Sequence, residues 1–355
     1  MADRRRRPRW RRLFCVLSLL AGAARAEPMA VAALPGWAEE DAAAALAPFR
    51  AGCEALARRD PAESLGGAGE TASRAGDWAA ACAEAAALPP GSERDFLERR
   101  FRPVPLGTGL LTGYYEPLLS GRLTPDAAHP TPLRGPPPSL DALPAPLPDR
   151  AAIEAGALDG LAPHLAYADP VEAFFLQIQG SGRVVLEGGG LLRLLYAGKN
   201  GHPYRAIGRL LIERGAIPRE AMSMQAIRAW LAAAPPAEAA ALLRENPSYV
   251  FFRREDALRP DQGPPGTLGV PLTPGRSLAV DPAFVPLGAP VWLLARETLD
   301  GAPIRRLVQA QDTGGAIKGA ARADLFQGWG EAAAARAGVM REQAAMWVLL
   351  PRELP

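Results

Sequence analysis

The sequence predicts an α+β chain that is mainly β with an α-helical N-terminal part, its β portion a small barrel or sandwich. Three observations carry that expectation. Residues 37–100 place apolar side chains three and four apart, the period of helices. Residues 106–122 and 250–351 break into short β-branched and aromatic runs between Gly and Pro. Pro and Gly number 37 and 36 in 355 residues, well above average usage, so many turns are expected. A chain of this length has room for two structural units.

The elements follow in order. Residues 1–26 read as an export signal: seven arginines between Arg4 and Arg12, an apolar run too short to span a bilayer, and the small-x-small site Ala24-Arg25-Ala26. "RRLF" is also compatible with twin-arginine export. Removing eight basic residues and one acidic residue with this segment turns the net charge from +2 to −5. No basic patch then points to nucleic acid, and no later apolar stretch is long enough for a transmembrane span. Cys15 leaves with the signal and lacks the small residues that precede a lipid-attachment cysteine, so an outer-membrane lipid anchor is disfavoured and a soluble periplasmic protein expected. Cys53 and Cys82 remain, and both a structural disulfide and two free buried thiols fit them.

"AEEDAAAALAPFRAGCEALARR", "DWAAACAEAAAL" and "SERDFLERRF" read as helices. "LGTGLLTGYYEPLLSGR" reads as strand, turn, strand. Residues 124–150 hold nine prolines and form a loop. Beyond it, "AFFLQIQGSG", "RVVLEGGG" and "LLRLLYAGKNG" look like strands, and "YRAIGRLLIERG", "MQAIRAWLAAA" and "AEAAALLREN" like helices. "LVQAQ" alternates as a strand with one face inward, ahead of Asp312.

Missing residues exclude mechanisms. There are three histidines, His129, His164 and His202, each beside turn-forming residues, which leaves no histidine triad and no histidine-rich metal site. "IQGSGR", "GGAIKG" and "GTGLLTG" miss the spacings of a nucleophile elbow, a phosphate loop and a dinucleotide fingerprint. No cofactor and no metal are expected. Carboxylates, amides, hydroxyls and aromatics remain, which suit a carbohydrate site. Glycosidic cleavage needs a carboxylic acid kept protonated by burial, and Asp312 stands where a strand meets Thr313-Gly314-Gly315. Asp before Gly is equally a turn signal, and the residues alone leave both readings open.

Six blocks in order, "GLLTGYYEPLLSGR", "FFLQIQGSGRV", "YAGKNGHPYRAIGRLLIERG", "NPSYVFFR", "AVDPAFVPLGAPVWL" and "AQDTGGAIKGAARADLFQGWGEAAAARAGVM", resemble the MltA family of lytic murein transglycosylases over residues 106–350. The resemblance implies a double-psi β-barrel with a smaller inserted β domain and a groove between them. It divides the chain into a signal (1–26), an Ala-rich helical region (27–105), a first barrel stretch (106–124), the insert (125–245) and a second barrel stretch (246–355). Implied too is cleavage of the β-1,4 bond between N-acetylmuramic acid and N-acetylglucosamine in peptidoglycan strands, forming a 1,6-anhydro sugar. Asp312 falls on the family's catalytic acid, with Asp281 and Asp324 as supporting carboxylates. Thr112, Tyr114, Tyr115, Glu116, Gln177, Gln179, Gly180, Ser181, Tyr196, Asn200, Gly314, Gly315 and Lys318 are expected along the groove. A monomer is expected, with other cell-wall proteins as candidate partners. The competing readings are a hydrolase using Asp312 and Asp324 as a pair, and a wall-binding module that cuts nothing.

Overall fold

The computed structural model describes residues 29–138, 140 and 146–352, so the expected export signal lies outside the described residues. The chain opens with α1 (Ala42–Leu56), which Asp41 caps by accepting from the Ala44 N–H at 3.0 Å. After a small β1–β2 pair (Ser64–Gly66, Ser73–Arg74) come α2 (Ala79–Ala87) and α3 (Glu93–Arg100). Cys53 on α1 and Cys82 on α2 form a disulfide. Phe49, Trp78, Phe96 and Phe101 pack edge-on or tilted within one cluster, and that cluster runs unbroken into the barrel. The N-terminal helices therefore share the barrel's core and do not stand apart from it.

The stretch 106–122, expected as strand, turn, strand, begins within one long strand, β3 (Phe101–Glu116), and breaks at Pro117 before a second, short strand. The glycines of β3 serve close approach: a Cβ on Gly109 would lie 2.2 Å from the Ala321 carbonyl oxygen, and one on Gly113 2.9 Å from Ala337 Cα. The chain then leaves through β4 (Leu118–Gly121), β5 (Thr131–Arg134), α4 (Arg150–Glu154) and β6 (His164–Ala168).

"FFLQIQ" lies in a helix, α5 (Pro170–Gln179), where a strand was expected. Asp169 caps it by accepting from Val171 N and Glu172 N, Pro170 fills its first turn, and Gly180 closes it at φ 80°. These end signals outweigh the apolar run between them. After it come β7 (Ser181–Leu186), β8 (Leu191–Lys199), α6 (Ile207–Glu213), α7 (Met224–Ala233), α8 (Pro236–Arg244) and β9 (Val250–Arg254).

The last stretch supplies β10 (Ser277–Val280), β11 (Pro290–Arg296), β12 (Pro303–Thr313), β13 (Ala323–Trp329), α9 (Gly330–Val339) and β14 (Arg341–Pro351). A closed barrel runs β10-β12-β11-β14-β3-β13, with β10/β12 and β13/β3 parallel and the other pairs antiparallel. A second sheet runs β4-β7-β8-β9. Leu118–Gly121 and Val250–Arg254, expected in the barrel stretches, thus hydrogen-bond into the other sheet. Pro117 removes the N–H that would carry β3 onward, and the chain changes sheets there. Among the described residues no helix is long and apolar enough to cross a membrane.

β12 departs from the expected alternation. Leu307, Val308, Gln309, Ala310 and Gln311 are all buried, because α1 covers the face that would otherwise meet water. Gln311 donates to the Pro48 carbonyl at 2.8 Å, which satisfies an amide on that covered face.

Candidate active site

Asp312 ends the buried run of β12, and pairing places it in a transverse row. Asp312 pairs with Ala279 on β10, Ala279 with Asp324 on β13, and Asp324 with Thr112 on β3. Asp312 and Asp324 are therefore two strand spacings apart, about 10 Å between backbones.

Three donors converge on the Asp312 carboxyl. Oδ1 accepts from the Thr267 N–H and the Thr267 hydroxyl, each at 3.0 Å, and Oδ2 accepts from the Tyr114 hydroxyl at 3.0 Å. Burial nevertheless dominates and raises this carboxyl above the usual range, with the Thr313, Thr267 and Tyr114 hydrogen bonds pulling the other way. Tyr114 lies against Phe326, ring centroids 5.2 Å apart, and burial followed by the Asp312 charge pushes its phenol well up. It is a neutral donor across ordinary pH.

Asp324 is held by the Thr112 hydroxyl and by Arg322, both on Oδ1. Asp281 makes the expected side-chain turn, accepting from Ala283 N at 3.1 Å, and its other oxygen accepts from Gly319 N at 2.8 Å. The Gly319 bond leads the causes that hold it below the ordinary carboxylate range. Asp281 thereby ties down the loop after Asp312. Neither Gly314 nor Gly315 adopts the left-handed conformation. A Cβ on Gly314 would come within 2.9 Å of Ile317 Cδ1, whereas Gly315 and Lys318 are exposed.

Several residues expected along the groove are committed elsewhere. Glu116 is wholly buried, accepting from Arg183 Nε at 2.7 Å and Arg193 Nη2 at 3.0 Å. Arg183 also covers the Trp329 ring at 4.1 Å, so this cluster links the second sheet to the barrel. Gln177 is buried and accepts from Arg150 at 2.7 Å. Asn200 is buried: its Nδ2 donates to Pro148 O and Pro247 O, and its Oδ1 accepts from Tyr249 N. It is a clamp inside its own unit. Tyr115 is buried with its hydroxyl toward Met224. In each case the polar group is taken up by a packed neighbour that the sequence does not reveal.

Gln179 is half-buried and accepts from Tyr115 N at 3.4 Å, which brings the end of α5 beside β3. Gly180 is the helix cap and Ser181 starts β7. Tyr196 is half exposed on β8. The sequence reading missed Thr267, which holds Asp312 through two bonds, and Gly266, where a Cβ would lie 2.4 Å from the Gln311 carbonyl oxygen and 3.2 Å from Asp312 Cβ. Pro264-Pro265-Gly266 is the local signal that could have marked this tight approach.

Residues 110–253 match the MltA specific insert domain, and residues 276–350 match the 3D domain. A membrane-bound lytic murein transglycosylase from Agrobacterium tumefaciens has a solved structure with TM-score 0.81 and 34% identity, over 92% of this chain and 97% of that one. The chain belongs to the MltA family. Membrane-bound lytic murein transglycosylase A of Vibrio cholerae is 39% identical over 250 residues, 68% of this chain and 66% of that protein, so the match spans just under two thirds of that relative's length. Escherichia coli MltA with bound chitohexaose matches with TM-score 0.69 and 31% identity over 87% of this chain and 90% of that one. The family's fold agrees with the closed barrel and mixed helix content seen here.

Proposed function

We propose that this chain is a peptidoglycan lytic transglycosylase: it cleaves the β-1,4 bond between N-acetylmuramic acid and N-acetylglucosamine without adding water. One observation carries the reading. Asp312 is raised by burial and has no cation among its hydrogen-bond partners, while the other two aspartates of the module are engaged by Arg322 and Thr112 or by backbone N–H groups. Hydrolases typically use two carboxyl groups, one of them to activate water or attack the sugar. An intramolecular nucleophile removes that need.

In this mechanism neutral Asp312 protonates the oxygen that leaves C1 of the muramic acid. The sugar's own C6 hydroxyl forms the new bond to C1, and the Asp312 carboxylate takes the hydroxyl proton, returning to the acid. The attacking oxygen is already tethered to the ring, which lowers the entropic part of the barrier. Thr267 and Tyr114 orient the carboxyl through hydrogen bonds that need not break between the two steps. The relatives' names give murein as their substrate, and chitohexaose, bound by the E. coli protein, is a β-1,4-linked amino-sugar oligomer.

The same reading makes the insert a unit at about residues 125–245 whose groove with the barrel holds the glycan, and places the protein in the periplasm as an exported, soluble monomer. Digestion of purified sacculi with mass analysis of the soluble products tests it. Anhydro ends from the parent, and a rate reduced by on the order of a thousandfold or more in Asp312→Asn, are expected, since the acid and the base are lost together. Hydrated ends alone would establish the two-carboxylate hydrolase, and parent and variant both releasing nothing would leave a glycan-binding module.

A further inference from the structure

The helices before residue 101 lie outside both matched domains, yet one turn of α1 touches both elements that hold Asp312. On the strand side, Gln311 is fully buried next to Asp312; its Nε2 donates to the Pro48 carbonyl at 2.8 Å and its Oε1 accepts from the Ser277 hydroxyl at 2.6 Å. Ser277 Oγ in turn accepts from Thr273 N at 2.8 Å. On the loop side, Leu268 packs in the same core cluster as α1, close enough that a Cβ added to Gly52 would lie 3.5 Å from Leu268 Cδ2, and Leu268 N donates to the Gln311 carbonyl at 3.0 Å. Leu268 follows Thr267, the residue that gives Asp312 two hydrogen bonds.

The residue after Gly52 is Cys53, and its disulfide to Cys82 ties this turn of α1 to α2. The α2 sequence "AAACAEAAA" offers mostly methyl groups, which bury little apolar area each, so along α2 itself the covalent link adds to a restraint whose apolar part comes mainly from Phe49 against Trp78 at the start of α2. Arg50 adds two bonds at the end of α2, donating to the Ala85 carbonyl at 2.7 Å and to the Leu88 carbonyl at 3.4 Å.

We propose that α1, clamped by the Cys53–Cys82 disulfide, is the positioning element for Asp312, with Gln311 the residue that transmits its hold, so that full activity requires the disulfide to be closed. This rests on the reading of Asp312 as the acid. Closing the bond removes two protons and two electrons from the two thiols, and a protein disulfide oxidant accepts them by exchange, becoming a dithiol. The chain would then reach full activity only in a compartment that supplies such an oxidant.

The test compares the oxidised parent with the same protein treated with a water-soluble phosphine, which delivers two electrons to the disulfide and takes its oxygen from water. Two further proteins are Cys53→Ala/Cys82→Ala and Gln311→Leu. Readouts are kcat and apparent KM for anhydro-product release from sacculi, the carbon-13 NMR titration of the Asp312 carboxyl, identified by its loss in Asp312→Asn, and far-ultraviolet circular dichroism. Expected is a fall in kcat of about tenfold or more, as misplacement of a reacting group causes, with KM unchanged, the Asp312 midpoint moving down as water enters, and circular dichroism preserved. The double cysteine variant should show the same losses and no further response to phosphine, and Gln311→Leu should reproduce them with its disulfide intact. Unchanged kcat and midpoint in folded, reduced protein would overturn the proposal, as would a loss of kcat that only follows loss of the folded fraction. If the parent releases no anhydro product while its Asp312 midpoint still moves on reduction, the enzymatic reading fails and the positioning stands.

Discussion

Tyr114→Phe separates the protonation of Asp312 from the shape of its surroundings. The phenol oxygen lies 3.0 Å from Asp312 Oδ2, and the ring packs 5.2 Å from that of Phe326, so phenylalanine keeps the packing and deletes one donor. A hydrogen bond to an ionised group is worth about 1.5–3 kcal/mol net, and one between neutral groups about 0.5–1.5 kcal/mol. Deleting the hydroxyl therefore penalises the carboxylate by roughly 1 kcal/mol more than the acid, which moves the ionisation equilibrium about fivefold toward the acid. The sign follows from the burial-raised Asp312: activity that needs the acid is lost as pH rises through its midpoint, and the variant should hold that activity to higher pH. The assay is kcat/KM for anhydro-product release across the pH range, parent against variant. At pH above the parent's alkaline limb the limb itself should favour the variant by about fivefold relative to each protein's own acid plateau. An alkaline limb that stays in place or moves to lower pH would refute the view that Tyr114 acts on Asp312's protonation.

Two other outcomes follow from the same contacts. Glu116→Gln leaves Arg183 and Arg193 buried without their anion, and breaking such a pair costs on the order of 3–5 kcal/mol, read as a lowered midpoint in thermal unfolding; an unchanged midpoint would show that the cluster contributes nothing to stability. Asp312→Asn should stabilise the fold most at alkaline pH. A carboxyl raised in the folded chain contributes stability below the ordinary aspartate range that is lost as pH rises through the raised value, and asparagine does not titrate; a melting-temperature difference independent of pH would contradict this.

Much of the site was legible because its parts are local. A strand running into Asp312 ahead of a glycine pair is visible in the sequence as a turn or a site alike, and the six sequence blocks name the family to which the structural relatives also belong. The Asp281 turn is likewise a short-range property, since the side chain bonds a backbone group two residues on. What the sequence leaves open is which polar group is free and which is taken up by a packed neighbour. Glu116, Gln177 and Asn200 have the chemistry that binds sugars, and their partners Arg183, Arg150 and Tyr249 are between 27 and 67 residues away in sequence. The α5 segment differs: its Asp-Pro start and glycine stop are present in the sequence, and these local signals decide the helix over the strand-like apolar run between them.

The sequence by itself determined the helical start, the strand-rich remainder, the module around Asp281, Asp312 and Asp324, and the family. Periodicity, caps, turns and motif order depend on neighbours along the chain. Only the tertiary structure decided the state of Asp312. Its burial, the Thr267 loop laid against it, the Tyr114 hydroxyl aimed at it and the α1 turn behind it all come from elements far apart in sequence, brought together by closure of the barrel. A carboxyl's acidity is set by the dielectric and donors around it, and those are properties of the packed surroundings that no stretch of eleven residues contains.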